Sequence, residues 1–268
     1  MKYDLHIHSN ITDGKHSRNE IIEIAKSKKL EYIAFTEHNT YVETKSDDIY
    51  IVSGIEFDVK FERSFHLLCY FPKMTIEIEK LLNKYRENTS ESTKKLVENI
   101  RNHFNIDGFN YDVIPSKNGY KTKRDVITWL LNNSYATTAD EASEIFTGKK
   151  AVSYVPKYSL TFEKVANCIH ESNGFVILAH PESLKLDNLE LDNFIKQLVK
   201  KELDGIEVLN LSKNNRNMEQ YYLYLANKYN LITSSGSDFH NILKHKIGLE
   251  NEYSDELLNL LYKKQKKL

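Results

Sequence analysis

The sequence predicts an α/β protein, a barrel of parallel strands carrying one helical insertion. Three observations predict it. Strand-like and helix-like segments alternate over the first seventy residues. The alternation stops from about 75 to 170, where charged helical sequence takes over, and it then resumes to residue 240. Strands separated by single helices pair in parallel, and seven or so of them favour a closed barrel over a short open sheet.

Each element has its own signal. Residues 3–8 read as a strand. Residues 17–30 read as a helix, in which Ser17 and Glu20 have capping-box spacing and Ile21, Ile24 and Ala25 make an apolar stripe. Residues 31–38, 49–57 and 64–71 are further strands, and Pro72 closes the run. The insertion expected over 75–170, between barrel segments 1–74 and 171–268, would cover the mouth of the barrel. Beyond it, 175–181, 205–210 and 231–240 read as strands, separated by helices over 188–203 and 218–230.

Composition removes several function classes. The 268 residues are 40% hydrophobic and 28% charged, with Lys+Arg 37 against Asp+Glu 38, so no global basic field recruits nucleic acid. No run approaches the roughly 18 apolar residues of a membrane span. No apolar leader is evident, and Cys69 and Cys168 fall in core-like runs, so a reduced, cytoplasmic protein is expected. Nothing points to an obligate protein partner.

The stretch DLHIHSNITDG, residues 4–14, is unusual for a buried strand. In extended backbone, side chains i and i+2 share a face. Asp4, His6 and His8 are therefore expected to look inward, with Tyr3, Leu5 and Ile7 packed outward on helices. Further polar residues recur at strand ends: His38, Glu56, His66, His180, Asp238 and His240. In parallel barrels these ends and their loops form the active-site mouth. Six of the ten histidines would thus meet Asp13, Glu56 and Asp238 on one rim, and neutral imidazole beside carboxylate is the donor set of a metal site.

These motifs together resemble the PHP (polymerase and histidinol phosphatase) family over nearly the whole chain. DLHIHSNITDG is similar to its first motif and TEH (36–38) to its second, usually TDH. GIE (54–56), FHLLCYF (65–71), AHP (179–181) and GSDFH (236–240) follow. The resemblance implies a distorted (β/α)7 barrel with two to three divalent ions, of which Mn, Fe or Zn suit these ligands. Carried over by position, His6, His8, Glu56 and Asp238 would hold one ion. Glu56 would bridge to a second, also bound by His66 and His180, and Asp13, His38 and His240 would hold a third. Such ions acidify a bound water and neutralise phosphoryl oxygens, so a metal-dependent phosphohydrolase is implied, with Glu56, Asp238 and His240 central to catalysis.

The insertion narrows the resemblance to the branch of nucleoside 3',5'-bisphosphate phosphatases and 5'-3' exoribonucleases. TKRDVITWLL (122–131) aligns with that branch's G-R-P/A-H segment, Arg124 matching its arginine while Asp125 and Val126 depart from it. The implied substrate is a nucleoside bisphosphate or the 5' end of short RNA or DNA, with Arg124 and Arg216 as phosphate ligands. The alternatives are a histidinol-phosphate phosphatase and a non-catalytic metal-binding module.

Overall fold

β1 (Lys2–Ile7), β2 (Tyr32–Phe35) and β3 (Tyr50–Phe61) pair in parallel, with α1 (Arg18–Ser27) between the first two. The Ser17–Glu20 capping box forms as expected. The computed structural model describes residues 1–116, 119–213, 215–251 and 253–266.

The all-parallel expectation fails at β4 (Arg63–Tyr70). β3 and β4 form an antiparallel hairpin, paired from Gly54 opposite Tyr70 to Phe61 opposite Arg63. Only Glu62, in the left-handed region at φ 55°, separates the strands, so there is no chain for the crossover that parallel pairing needs. β4 consequently runs backwards through the barrel, and His66 lies near its start, opposite Asp58.

β6 (Phe175–Leu178) pairs antiparallel with β4, and β7 (Gly205–Asn210) and β8 (Ile232–Gly236) add in parallel. The sheet order β8-β7-β6-β4-β3-β2-β1 closes on itself. His8 N donates to Phe239 O at 2.9 Å, and Phe239 N donates to His6 O at 3.2 Å, stitching β1 to the segment after β8. Gly236 makes that seam possible, because a Cβ there would sit 2.3 Å from His6 Cβ. The fold is thus the mixed α/β, TIM-like barrel expected, with one reversed strand. Two short strands lie outside the ring: β5 (Leu160–Thr161) on β3 and β9 (Leu249–Glu250) on β1.

The expected division of β1 into faces is also corrected. Asp4 pairs with Ile33 and Ile7 with Phe35, three steps on β1 against two on β2, which marks a bulge. Before it, Tyr3 and Leu5 pack with Ala34, Val52, Leu68, Tyr70 and Ile177 of the facing strands, and α8 (Asp255–Gln265) adds Leu257, Leu258 and Leu261. After it, Ile7 joins Ile21, Ile22, Ala25, Ile33 and Phe35 against α1. The extra residue re-phases the strand, so the lower half sends apolar side chains inward and the upper half sends histidines. Asp4 turns away and accepts from Ser237 N at 2.9 Å and Gly248 N at 2.8 Å.

The chain divides into two compact units, Met1–Leu81 with Leu160–Leu268, and Leu82–Ser159. The helical unit is narrower than 75–170, because α5 (Phe162–Glu171) packs on β3 and β6 of the barrel. α6 (Asn188–Val199) and α7 (Glu219–Tyr229) complete the barrel's helices. The helical unit has its own core, where Leu96, Val97 and Ile100 of α2 (Ile76–Phe104) meet Val126 and Leu130 of α3 (Lys123–Asn132), Ala142 of α4 (Ala139–Ala142) and Phe146. Asp125, a departure from the resembled segment, caps α3 by accepting from Thr122 N at 2.8 Å.

Candidate metal centre

The side chains of the site are placed by unusual backbone. His38 follows β2 and bridges to Glu56 of β3, and Asn39 N donates to Glu56 O at 2.9 Å. Asn39, His180 and Asp238 all take positive φ, at 46°, 26° and 52°. Such conformations cost energy in non-glycine residues and persist only where surrounding contacts impose them. The loop after β1 folds back so that Gly14 N donates to Ser9 O at 2.9 Å. A Cβ on Gly14 would lie 2.3 Å from His8 O, which explains the glycine after Asp13.

Glu56 is the hub. Its Oε1 lies 2.8 Å from His66 Nδ1 and 2.9 Å from His180 Nε2. Its Oε2 lies 3.1 Å from both His8 Nε2 and His38 Nδ1, and 3.5 Å from His6 Nε2. Asp238 Oδ1 stands 3.6 Å from His6 Nε2, 3.5 Å from His8 Nε2 and 3.4 Å from His240 Nδ1. Asp13 faces His38 at 3.5 Å and His240 at 3.4 Å. All nine expected residues therefore meet in one place.

Burial alone would raise the Glu56 pKa, but the positive imidazoles of His38, His66 and His6 hold it well below the usual carboxylate range. His66 shows the reverse balance: burial pulls it down, while Glu56 and Asp58 push it up to about 10. His8 is lowered, by burial and by its neighbour His38.

Donor atoms in this cluster form four overlapping groups: His8, Asp13, His38 and His240; His6, His8 and Asp238; His6, Glu56 and His180; and His38, Glu56 and His66. Within each, the donor atoms lie within 4.8 Å of one another. His66 and His180, expected on one ion, both touch Glu56 but fall in different groups. His6 Nε2, both ring nitrogens of His8, His38 Nδ1 and Glu56 Oε2 are buried without a hydrogen-bond partner. Buried polar atoms are ordinarily satisfied, and most of these face each other as imidazole and carboxylate at 3.1–3.6 Å out of hydrogen-bond geometry, a spacing that a shared cation would satisfy. Imidazole nitrogen and carboxylate oxygen fit divalent Mn, Fe or Zn.

Residues 4–266 match the family described as PHP domain. The chain belongs to the PHP family. It is accordingly a metal-dependent phosphohydrolase. It is 23% identical over 257 residues to a 5'-3' exoribonuclease of Haemophilus influenzae, covering 89% of this chain and 90% of that protein. It is 24% identical over 270 residues to a phosphoribosyl 1,2-cyclic phosphate 1,2-diphosphodiesterase of Eggerthella lenta, covering 90% and 94%. Among solved structures, an amidohydrolase of Chromobacterium violaceum with bound sulfate superposes with a TM-score of 0.71 at 19% identity, over 92% of this chain and 91% of that one. A Bifidobacterium adolescentis protein described as a metal-dependent phosphoesterase gives 0.69 at 20% identity, over 97% and 95%.

The PHP barrel also uses residues to which the sequence reading gave no role, Glu37 of the second motif among them. Glu37, fully buried, accepts from Ser9 N at 3.2 Å, from the hydroxyls of Ser9 and Thr12, and from Arg18 Nη2 at 3.3 Å. It ties the Asp13 loop to α1. Asp58, two residues beyond Glu56 and so on the same strand face, holds His66 Nε2 at 2.7 Å. Glu207 lies in GIEVLN, where a carboxylate in an otherwise apolar strand was the available signal; its Oε1 is 2.9 Å from His6 Nδ1. Lys213 Nζ sits 3.3 Å from Asp238 Oδ2.

The two expected phosphate ligands fall in different units, Arg216 in the barrel unit and Arg124 in the helical one. Arg216, exposed in the single turn Asn215–Asn217, lines a cavity of about 210 Å³ with Glu219, Leu249, Asn251 and Tyr253, and none of the nine residues lines it. Arg124 is exposed in the first turn of α3, within the helical unit.

Proposed function

We propose that this PHP chain hydrolyses a phosphate ester of a nucleoside 3',5'-bisphosphate, or of the 5' end of a short oligonucleotide, at the nine-residue cluster. The observation that carries the reading is the meeting of nine donor residues in one cluster, five of them imidazoles that face the shared carboxylate Glu56. Relatives named for 5'-3' exoribonuclease activity, at 21–23% identity and 85–90% of their lengths, support the substrate class.

His6, His8, Glu56 and Asp238 would hold one ion, Glu56 with His66 and His180 a second, and Asp13, His38 and His240 a third. Divalent ions at such a cluster supply an acidified water and positive charge against the phosphoryl oxygens. Asp13, His38, His66 and His240 are partly exposed, while His6, His8 and Glu56 are buried. Substrate therefore approaches past the first set, and the second keeps the reacting centre dry. Arg124 is the proposed partner of the phosphate that is not cleaved; its support is the resemblance over 122–131. A cytoplasmic setting accords with two buried, unpaired cysteines, and no helix among the described residues is long and apolar enough to cross a membrane.

The test is a turnover screen of the Mn-, Fe- or Zn-loaded protein. Its substrates are adenosine 3',5'-bisphosphate, 5'-phosphorylated short RNA, a cyclic phosphodiester of a sugar phosphate, and histidinol phosphate. Turnover of the first two is expected. Preference for either of the last two overturns the substrate assignment and leaves the metal centre standing. A protein that retains no metal and turns over none of the four overturns the whole reading.

A further inference from the structure

Glu207 stands inside the barrel on β7, fully buried, and both of its oxygens are committed to the cluster. Oε1 lies 2.9 Å from His6 Nδ1. Oε2 accepts from His180 N at 2.7 Å and from Asn210 Nδ2 at 3.0 Å. His6 comes from β1 and His180 from the turn after β6, so one carboxylate reaches a residue on each side of it. The two residues share a group with Glu56.

The geometry points to Glu207 as the positioning residue that fixes two metal ligands, His6 and His180, one for each of the two ions that would share Glu56; this inference rests on the metal-centre reading above. A carboxylate facing His6 Nδ1 requires the proton on that nitrogen, which leaves Nε2 as the lone-pair donor. Nε2 is the atom aimed at the cluster, 3.5 Å from Glu56 Oε2 and 3.6 Å from Asp238 Oδ1, and it is buried without a hydrogen-bond partner. At His180 the contact acts on backbone instead. The residue sits at φ 26° and ψ 70°, and the bond to its N–H helps hold that conformation. Its ring then spans from Ser183 Oγ, 2.7 Å from Nδ1, to Glu56 Oε1, 2.9 Å from Nε2.

Gln at this position cannot do both tasks. If the amide oxygen accepts from His6 Nδ1–H, the NH2 faces two donors, His180 N–H and Asn210 Nδ2. If the amide is turned over, its NH2 donates to His6 Nδ1 and drives the proton to Nε2, which removes the ligand atom.

The test is Zn2+ binding by Glu207→Gln, read by equilibrium dialysis and metal analysis. The two ions that share Glu56 should bind about ten- to a hundredfold more weakly, as for other carboxylates behind metal-binding histidines, while the ion of Asp13, His38 and His240 is kept. In the Zn-loaded wild-type protein, long-range 15N spectra of the histidine rings should show His6 bound through Nε2 and carrying its proton on Nδ1. That measurement needs no variant, so it stands even where Glu207→Gln does not fold. Ligation through Nδ1, unchanged affinity in the variant, or equal weakening of every ion overturns the role of Glu207. A wild-type protein that retains no Zn2+ overturns the metal-centre reading instead.

Discussion

Glu56→Gln separates the hub role of this carboxylate from a merely structural one. Glu56 faces five imidazoles at 2.8–3.5 Å and contributes to two of the four donor groups. The amide has the same shape but only one acceptor oxygen and no charge. A charge-assisted contact contributes about 1.5–3 kcal/mol, and two ions each lose one, so about 3–6 kcal/mol of metal binding disappears in all. At roughly 1.4 kcal/mol per decade, each ion binds one to two decades more weakly. Metal analysis after dialysis should therefore show more than one ion lost per chain, with phosphodiester turnover falling by at least the same factor. A competing effect has to be separated. Removing one partner from a buried charge cluster costs about 3–5 kcal/mol, against about 5–15 kcal/mol for a whole domain. The variant should then melt lower but remain folded, which circular dichroism at the assay temperature verifies. Full metal content with wild-type turnover would refute the bridging role of Glu56.

Three further outcomes are expected, two from the geometry of the cluster and one, at Arg124, from the resemblance over 122–131. His6→Ala should empty the site it shares with Glu56, and His240→Ala the site it shares with Asp13 and His38; loss of the same ion from both, in anomalous scattering, would refute the partition. Arg124→Ala should lower kcat/KM for a nucleoside 3',5'-bisphosphate by about one to two decades while leaving a small chromogenic monoester unaffected, since about 1.5–3 kcal/mol of phosphate contact is removed; equal losses on both would refute a role in binding the second phosphate. For the metal-free protein, His66 is raised from about 6.5 to about 10, so its stabilising contribution is complete below about pH 6.5 and is lost as pH rises through about 10. Metal binding competes with those protons and strengthens over the same interval, so thermal melts from pH 6.5 to 10 should fall with chelator and not with metal. A chelated protein whose melting temperature rises across that range would contradict the ion pairs around Glu56.

The donor residues of the centre were legible because their types are costly at those positions. An imidazole or carboxylate buried in a barrel has to be satisfied, and a set of nine such residues fits the donor requirements of a metal site. What the residues alone could not show is how the backbone delivers them. Simple alternation assigns Tyr3, Leu5 and Ile7 to the outside, and the bulge between Asp4 and Ile7 reverses that assignment for the first two. Periodicity assumes an unbroken strand, and an inserted residue leaves no mark in the pattern of apolar and polar side chains. The hairpin at Glu62 was closer to legible, since 49–57 and 64–71 stand too close for a crossover helix, and that spacing alone forbids parallel pairing.

The bulge and the hairpin belong to one physical requirement. A regular strand gives a single face to the barrel interior along its whole length, but this barrel needs an apolar lower half and a polar upper half. On β1 the bulge changes the phase, so Leu5 serves the core and His6 and His8 serve the centre. On β3 and β4 no change of phase is needed, because Val52 and Glu56 already share a face, as do Leu68 and His66. There the hairpin carries the strands beyond the rim, bringing Asp58 within 2.7 Å of His66 from outside the hub. Glu207 does the same work on β7 from below, against His6. Each histidine so held has one ring nitrogen on a carboxylate of the scaffold and the other toward Glu56, an arrangement that would fix the direction of a metal ligand before an ion arrives.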